Sequence, residues 1–519
     1  MNQEATTGAD PFTEELDKHI SASLDKWHVP SFALAVVDGD NVYSRAYGYA
    51  TLPDVKATPE TLYFAASTTK AHLGAVLSHL IHSKEYPQLK QGWETTISTI
   101  IPDDFVLADE WLTQNLTLED AICHRTGTSA HDDAWFSERD GKHVSLRDTV
   151  RSQRHFPKGW QPRYKYQYNN MMYATLSHVV EVVTGKSLAE VFQTILWEPL
   201  GMHSTFLNLK DAEGSPNHLA TGYYFDPETS QHKALPVPDF TQCSGAGAII
   251  SNTQDYAKWV KCLFSKGAPL SDEVHEDIRK PRMIATTSPS QGQDVRLYAA
   301  GWYRTTIQGH VLYRHAGGTD STITQVLFLP DHNYGVVMFA NDAEGGNGIT
   351  LDVLFKLVCD KLSIPSDKRP DMDAMITGWL ASADKDHEVG TVMKTVYPDA
   401  PETPEPSPVA IGDLCGTYED AAYGRFTLVE QPDSHKSGAT MLTAERPGMI
   451  WKSSFRLHHV TGAQWVLFID HENPRPAVLG HFQGAEFQID GAGKVTGFKV
   501  DWKNWGDKSS NGVTTFARI

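Results

Sequence analysis

Two groups of strand-like segments, about 250 residues apart, constrain the fold of this chain more than any other feature. The first group is a hairpin. Residues 31–37 and 41–48 are apolar or alternating runs around the turn Asp38-Gly39-Asp40, a strong hairpin signal. The second group lies at about 299–307, 311–315, 321–329 and 334–340. Between them, residues 67–265 read as mainly helical with long loops. An amphipathic helix from Pro11 to about His28 precedes the first group, and one over about 348–363 follows the second. The pattern predicts an α+β fold: an antiparallel β-sheet built from both ends of a domain, flanked by helices, with a mainly helical insertion.

Beyond this domain the composition changes. Residues 398–408 contain five prolines in eleven positions and read as a semi-rigid extended spacer. Residues 411–519 hold short alternating segments such as 425–429 and 465–469 between Gly, Asn and Asp turns, which predicts a small all-β barrel or sandwich. The expected division is 1–365 for the first domain, 366–410 for a helix and Pro-rich linker, and 411–519 for the all-β domain. A chain of 519 residues, 40% hydrophobic, is long enough for such cores.

Chemistry concentrates at Ser67-Thr68-Thr69-Lys70, which follows the apolar run Tyr63-Phe64-Ala65-Ala66. A serine three residues before a lysine shares its helix face. The hydroxyl needs a nearby base to become nucleophilic, and a desolvated lysine is more easily neutral. A helix start adds free N–H groups and a positive dipole end for a developing oxyanion. The same spacing at Ser23/Lys26 and Ser382/Lys385 falls in polar stretches and reads as solvated helix face. Two further segments join Ser67: Tyr168-Asn169-Asn170, opening an apolar helical run, and His315-Ala316-Gly317-Gly318, after a strand-like stretch. Taken singly, Asn170 reads as a helix N-cap and His124 as a loop-fixing hydrogen bonder.

In this order, Ser-x-x-Lys, Tyr-x-Asn and a basic residue-x-Gly resemble the serine β-lactamase and penicillin-binding protein superfamily. The likeness is closest to the class C β-lactamase-like branch of esterases, D-aminopeptidases and acyltransferases. Cys123-His124-Arg125-Thr126-Gly127, Glu198-Pro199-Leu200-Gly201-Met202, the Gly245–Asp255 passage and Phe328-Leu329-Pro330-Asp331 are similar to other family segments, so the likeness runs from about residue 15 to 363. Segments 414–418 and 493–497 resemble the lipocalin-like domain appended to such hydrolases.

The resemblance implies a serine hydrolase or acyltransferase acting through a Ser67 acyl-enzyme on an ester, thioester or amide of a small metabolite. Lys70 and Tyr168 would share the role of base. Asn170 and His315 would orient substrate and the Lys70 ammonium. Gly317 and Gly318 would complete the site, with the N–H groups of Ser67 and Gly318 as oxyanion hole. His315 stands where β-lactamases and transpeptidases usually carry a lysine that helps bind a carboxylate. That departure favours acyl groups without one. The alternatives are a D-aminopeptidase or DD-peptidase-like amide hydrolase and, from another class, a non-catalytic scaffold.

Other features bound the partners. A net charge of −19 disfavours nucleic acid and anionic membranes. No apolar run approaches the ~20 residues of a membrane span. The first residues lack a secretory pattern, and the five cysteines are scattered, so a cytoplasmic protein with reduced thiols is expected. No cluster has zinc spacing, and His131-Asp132-Asp133 lacks partners in sequence, so neither metal nor cofactor is expected. The expected partner is a small-molecule acyl substrate, with carrier-bound and thioester donors among the candidates and a homo-oligomer compatible. Trp135, Phe136, Trp160, Tyr164, Tyr166, Trp302 and Tyr303 flank the motifs and are candidates for a large apolar pocket.

Overall fold

The computed structural model describes residues 10–290, 292–433, 439–475, 481–503 and 510–519. Its centre is a nine-stranded antiparallel sheet. In spatial order the strands are Met283–Thr286, Arg296–Tyr298, Tyr303–Ile307, His310–Gly318, Ile323–Leu329, Tyr334–Ala340, Ser31–Asp38, Asn41–Thr51 and Val55–Lys56. Ser31–Asp38 lies between its hairpin partner and Tyr334–Ala340, with Val36 opposite both Tyr43 and Val336. It is buried along nearly its whole length, which is why it reads as a continuous apolar run.

The two faces of the sheet are covered differently. Phe32, Leu34 and Val36 pack with Leu16 and Ile20 of the helix Glu14–Trp27 and with Ile349, Val353 and Leu357 of the helix Glu344–Lys361. Ala33, Ala35 and Val37 join Leu73, Val76 and Leu77 of the helix Thr69–Ser83 and Tyr256 and Val260 of the helix Thr253–Ser265. At ~1.5–3 kcal/mol for each large aliphatic side chain buried, these layers hold the sheet between its helices. The insertion between the strand groups is mainly helical, with two small hairpins at Glu138–Arg139/Lys142–His143 and Tyr223–Asp226/Gln231–Ala234.

Three details depart from expectation. The strands Met283–Thr286 and Arg296–Tyr298, four and three residues long in polar surroundings, carry no sequence signal of their own. The strand expected from 299 begins at Tyr303. Before it, Gly301 adopts φ +80° and lies so close to the helix Thr69–Ser83 that an added Cβ would be 2.5 Å from Lys70 O. Ser23 is no solvated side chain; it is buried and donates to Asp352 at 2.6 Å, a bond that staples the two terminal helices.

Residues 416–518 form a closed eight-stranded antiparallel barrel in sequential order, sealed by the pairs Tyr418↔Arg518 and Glu419↔Ala517. Tyr418, Phe426, Phe455, Phe487, Phe498 and Phe516 fill its interior with mutually packed rings, as expected of a barrel this size. The barrel docks on the first domain through backbone bonds to loop 131–138. Ser137 N and Glu138 N donate to Gly448 O, and Ile450 N donates to Trp135 O. Arg475 grips Glu344 with bonds of 2.9 and 2.6 Å, and Asn473 Nδ2 donates to Asp320 O, just beyond the strand carrying His315.

Candidate active site

Ser67 sits in a 3₁₀ turn, Ala66–Thr68, that runs directly into the helix Thr69–Ser83. Ala66 holds φ +45°, a left-handed conformation that costs an alanine energy and persists only where its surroundings impose it. The imposing element is the strand His310–Gly318. A Cβ on Gly317 would lie 2.2 Å from Ala65 O and 3.0 Å from Ser67 N, so only glycine lets the strand backbone rest on the turn. Two other non-glycine residues near Lys70 also have positive φ: His124 at 60° and Ser244 at 37°.

Lys70 Nζ lies 3.0 Å from Ser67 Oγ and donates to Ala246 O at 2.6 Å. Its side chain is fully buried. Burial pulls its pKa from 10.5 down to about 7, against the opposing pull of Asp132 and Cys243. The ammonium also faces the Tyr168 and Tyr173 rings at 4.8 and 5.2 Å. Tyr168 is hydrogen-bonded to Ser67, yet burial beside Tyr303 holds its phenol well above its ordinary value. Ser67 thus touches a lysine close to neutrality and a tyrosine that keeps its proton.

The supporting residues are held by partners the sequence did not announce. Asn169, not Asn170, is the N-cap of the helix Asn170–Thr184; its Oδ1 accepts from Met172 N. Asn170 lies one position inside and donates to Asp132 Oδ2 at 2.7 Å. The Lys70 Nζ hydrogen bonds go to Ser67 Oγ and to the Ala246 carbonyl. His315 is buried with its Nδ1 2.6 Å from Ala316 O and its Nε2 3.0 Å from Tyr298 OH. Those partners fix the tautomer with the proton on Nδ1 and Tyr298 donating to Nε2. Burial, aided by Lys70, lowers its pKa to about 3, so His315 supplies no cation. His124 accepts from Asn169 N on Nδ1 at 3.0 Å, the loop-fixing role anticipated for it.

Of the flanking aromatics, Trp135 and Trp302 are buried packing residues and Tyr164 is exposed. Tyr166 and Tyr303 share a 2.6 Å hydrogen bond, and Tyr303 lies against His315. Ala246 belongs to a glycine-rich passage whose motif likeness could have suggested a role. Asp132 finds its partner Asn170 38 positions away, and Tyr298 sits in a short strand with no local pattern.

A sheet formed from both ends of the domain, a helical insertion and a buried Ser–Lys–Tyr cluster at their border place the chain in a known class: it belongs to the beta-lactamase family, whose model matches residues 16–354. Among individual relatives, it is 36% identical over 439 residues to unguisins hydrolase ungD' of Aspergillus campestris, covering 83% of this chain and 80% of that one. It is 32% identical over 515 residues to unguisins hydrolase ungD of Aspergillus violaceofuscus, with 95% and 88% covered. The octameric penicillin-binding protein homologue from Pyrococcus abyssi shares the fold with a TM-score of 0.59 at 17% identity, over 94% of this chain and 97% of that one. Among the described residues, no helix is long and apolar enough to cross a membrane.

Proposed function

We propose that this hydrolase works through a Ser67 acyl-enzyme on an ester, thioester or amide of a small metabolite, with neutral Lys70 as the proton acceptor. The observation that carries the reading is a fully buried Lys70, its pKa lowered to about 7, with Nζ 3.0 Å from Ser67 Oγ. Ser67 Oγ attacks the acyl carbon while its proton passes to Lys70 Nζ. The oxyanion is received by the N–H groups of Ser67 and Gly318. Tyr168 donates its proton to the leaving group as the intermediate collapses and takes one back from the Lys70 ammonium, which returns Lys70 to neutrality. Water then attacks the acyl-enzyme while its proton passes to Lys70, and that proton returns to Ser67 Oγ as the acid leaves. Hydrolysis is preferred over transfer to another acceptor because the two unguisins hydrolases that the chain resembles are named for hydrolysis. The neutral, pinned His315 favours acyl groups without a carboxylate at that position. Unguisins, the compounds in the relatives' names, are the first metabolites to try.

The test is intact-protein mass after brief exposure to p-nitrophenyl butyrate, with wild type beside Ser67→Ala. An adduct of one acyl group in wild type alone supports the assignment. An adduct that survives in Ser67→Ala would place the nucleophile elsewhere. Adding alcohols or amines during turnover separates acyl transfer from hydrolysis by the product formed.

A further inference from the structure

Asp133, in the loop 131–138, meets two histidines from the barrel, and nothing in the proposed chemistry uses the three. Asp133 Oδ2 lies 3.0 Å from His481 Nδ1, and Asp133 Oδ1 lies 3.6 Å from His471 Nε2. One ligand atom from each residue falls within 4.8 Å of the others. The side chains are 14%, 24% and 5% exposed respectively. Both ring nitrogens of His471 are buried; Nδ1 has no hydrogen-bond partner and Nε2 has only Asp133 Oδ1 at the long distance of 3.6 Å, a costly arrangement for polar atoms. Next to this cluster Asp132 keeps a second buried and unpartnered oxygen, Oδ1.

We propose that Asp133, His471 and His481 bind a divalent transition-metal ion of the Zn²⁺ type. Two nitrogen or oxygen ligands, each about 2.1 Å from a tetrahedral zinc, stand about 3.4 Å apart. The two measured separations, 3.0 and 3.6 Å, bracket that value. The two imidazole nitrogens, within 4.8 Å of each other, need approach by at most about 1.4 Å. Two histidines and a carboxylate are a donor set suited to zinc and its neighbours rather than to calcium or magnesium. The fourth position falls to water. The metal would join the first domain to the barrel at one point, next to Asp132 and so one hydrogen bond from Asn170. Its role is to fix that loop, not to take part in the acyl chemistry. Sequence spacing could not reveal the site, because Asp133 lies more than three hundred positions before the two histidines.

The experiment uses the full chain, dialysed against Zn²⁺ and then against metal-free buffer, with bound metal measured by inductively coupled plasma mass spectrometry. About one equivalent retained by wild type, falling at least tenfold in His471→Ala and His481→Ala, is the expected result. Circular dichroism checks that the variants are folded. If a variant is insoluble, wild type alone decides: Zn²⁺ should raise its Tm reversibly, and EDTA should return it. No retained metal and no Tm change in wild type overturns the proposal, and so does equal retention by folded variants. Either result would identify the cluster as a carboxylate–histidine clamp.

Discussion

The assignment of Lys70 as base makes a quantitative claim about pH. In the folded chain its pKa lies at about 7, against 10.5 for an ordinary lysine. At ~1.4 kcal/mol per pH unit, burying its charged form costs about 5 kcal/mol. The direction follows from proton binding. Below about pH 7 both folded and unfolded chains hold the proton, and the fold bears the whole cost. From about 7 to 10.5 the unfolded chain binds more protons, so stability rises with pH; above 10.5 the cost is gone. Lys70→Met removes the charge. Wild type should therefore gain on the variant by up to about 5 kcal/mol between pH 7 and 10.5, read from urea midpoints across that range. The same ionisation governs activity. The wild-type rate of Ser67 acylation by p-nitrophenyl butyrate should climb about tenfold per pH unit below 7 and then level off. A rate already flat at pH 5.5, or one still climbing beyond pH 9, would refute the assignment; the second outcome would return the role to Tyr168.

Four other substitutions probe the surrounding geometry. Ser67→Ala should remove turnover by orders of magnitude while leaving the circular dichroism spectrum unchanged. Gly317→Ala places a methyl group 2.2 Å from Ala65 O, and kcat/KM should fall at least ~100-fold; near-normal activity would mean the strand is not what shapes the turn. Tyr168→Phe should slow amide hydrolysis far more than p-nitrophenyl ester hydrolysis, since only the amine needs a proton to leave, and equal slowing would remove its role as donor. Tyr298→Phe strips the donor from buried His315 Nε2 and should cost about 1–3 kcal/mol in urea unfolding.

Much of the architecture could be read before the structure. Ser31–Asp38, the strands from Tyr303 to Ala340 and the barrel strands are legible because each is apolar or alternates at the period its burial requires. The segment around Lys70 was legible for a related reason: a lysine amid continuous apolar residues is conspicuous. The partners were not legible. Ala246 acts through its backbone carbonyl, which no side-chain pattern marks. Asp132 and Tyr298 reach Asn170 and His315 across the fold. The cap moved from Asn170 to Asn169 because either asparagine could take the extended conformation a cap needs, and tertiary bonds from Asn169 Nδ2 to Thr128 and Ser129 decide between them.

The pairing of Ser31–Asp38 with Tyr334–Ala340 imposes an order of events on synthesis. A ribosome adding ~5–20 residues per second needs about 15–60 s to pass from one strand to the other. During that interval the hairpin has only one of its two neighbours, and the turn at Ser67 lacks the Gly317 backbone that shapes it. For roughly half of translation, the 250 residues from Ser67 to Gly317, the geometry proposed to activate Ser67 is therefore incomplete. Its first third must also be kept from sticking to other nascent chains, through the apolar edge that Tyr334–Ala340 finally covers.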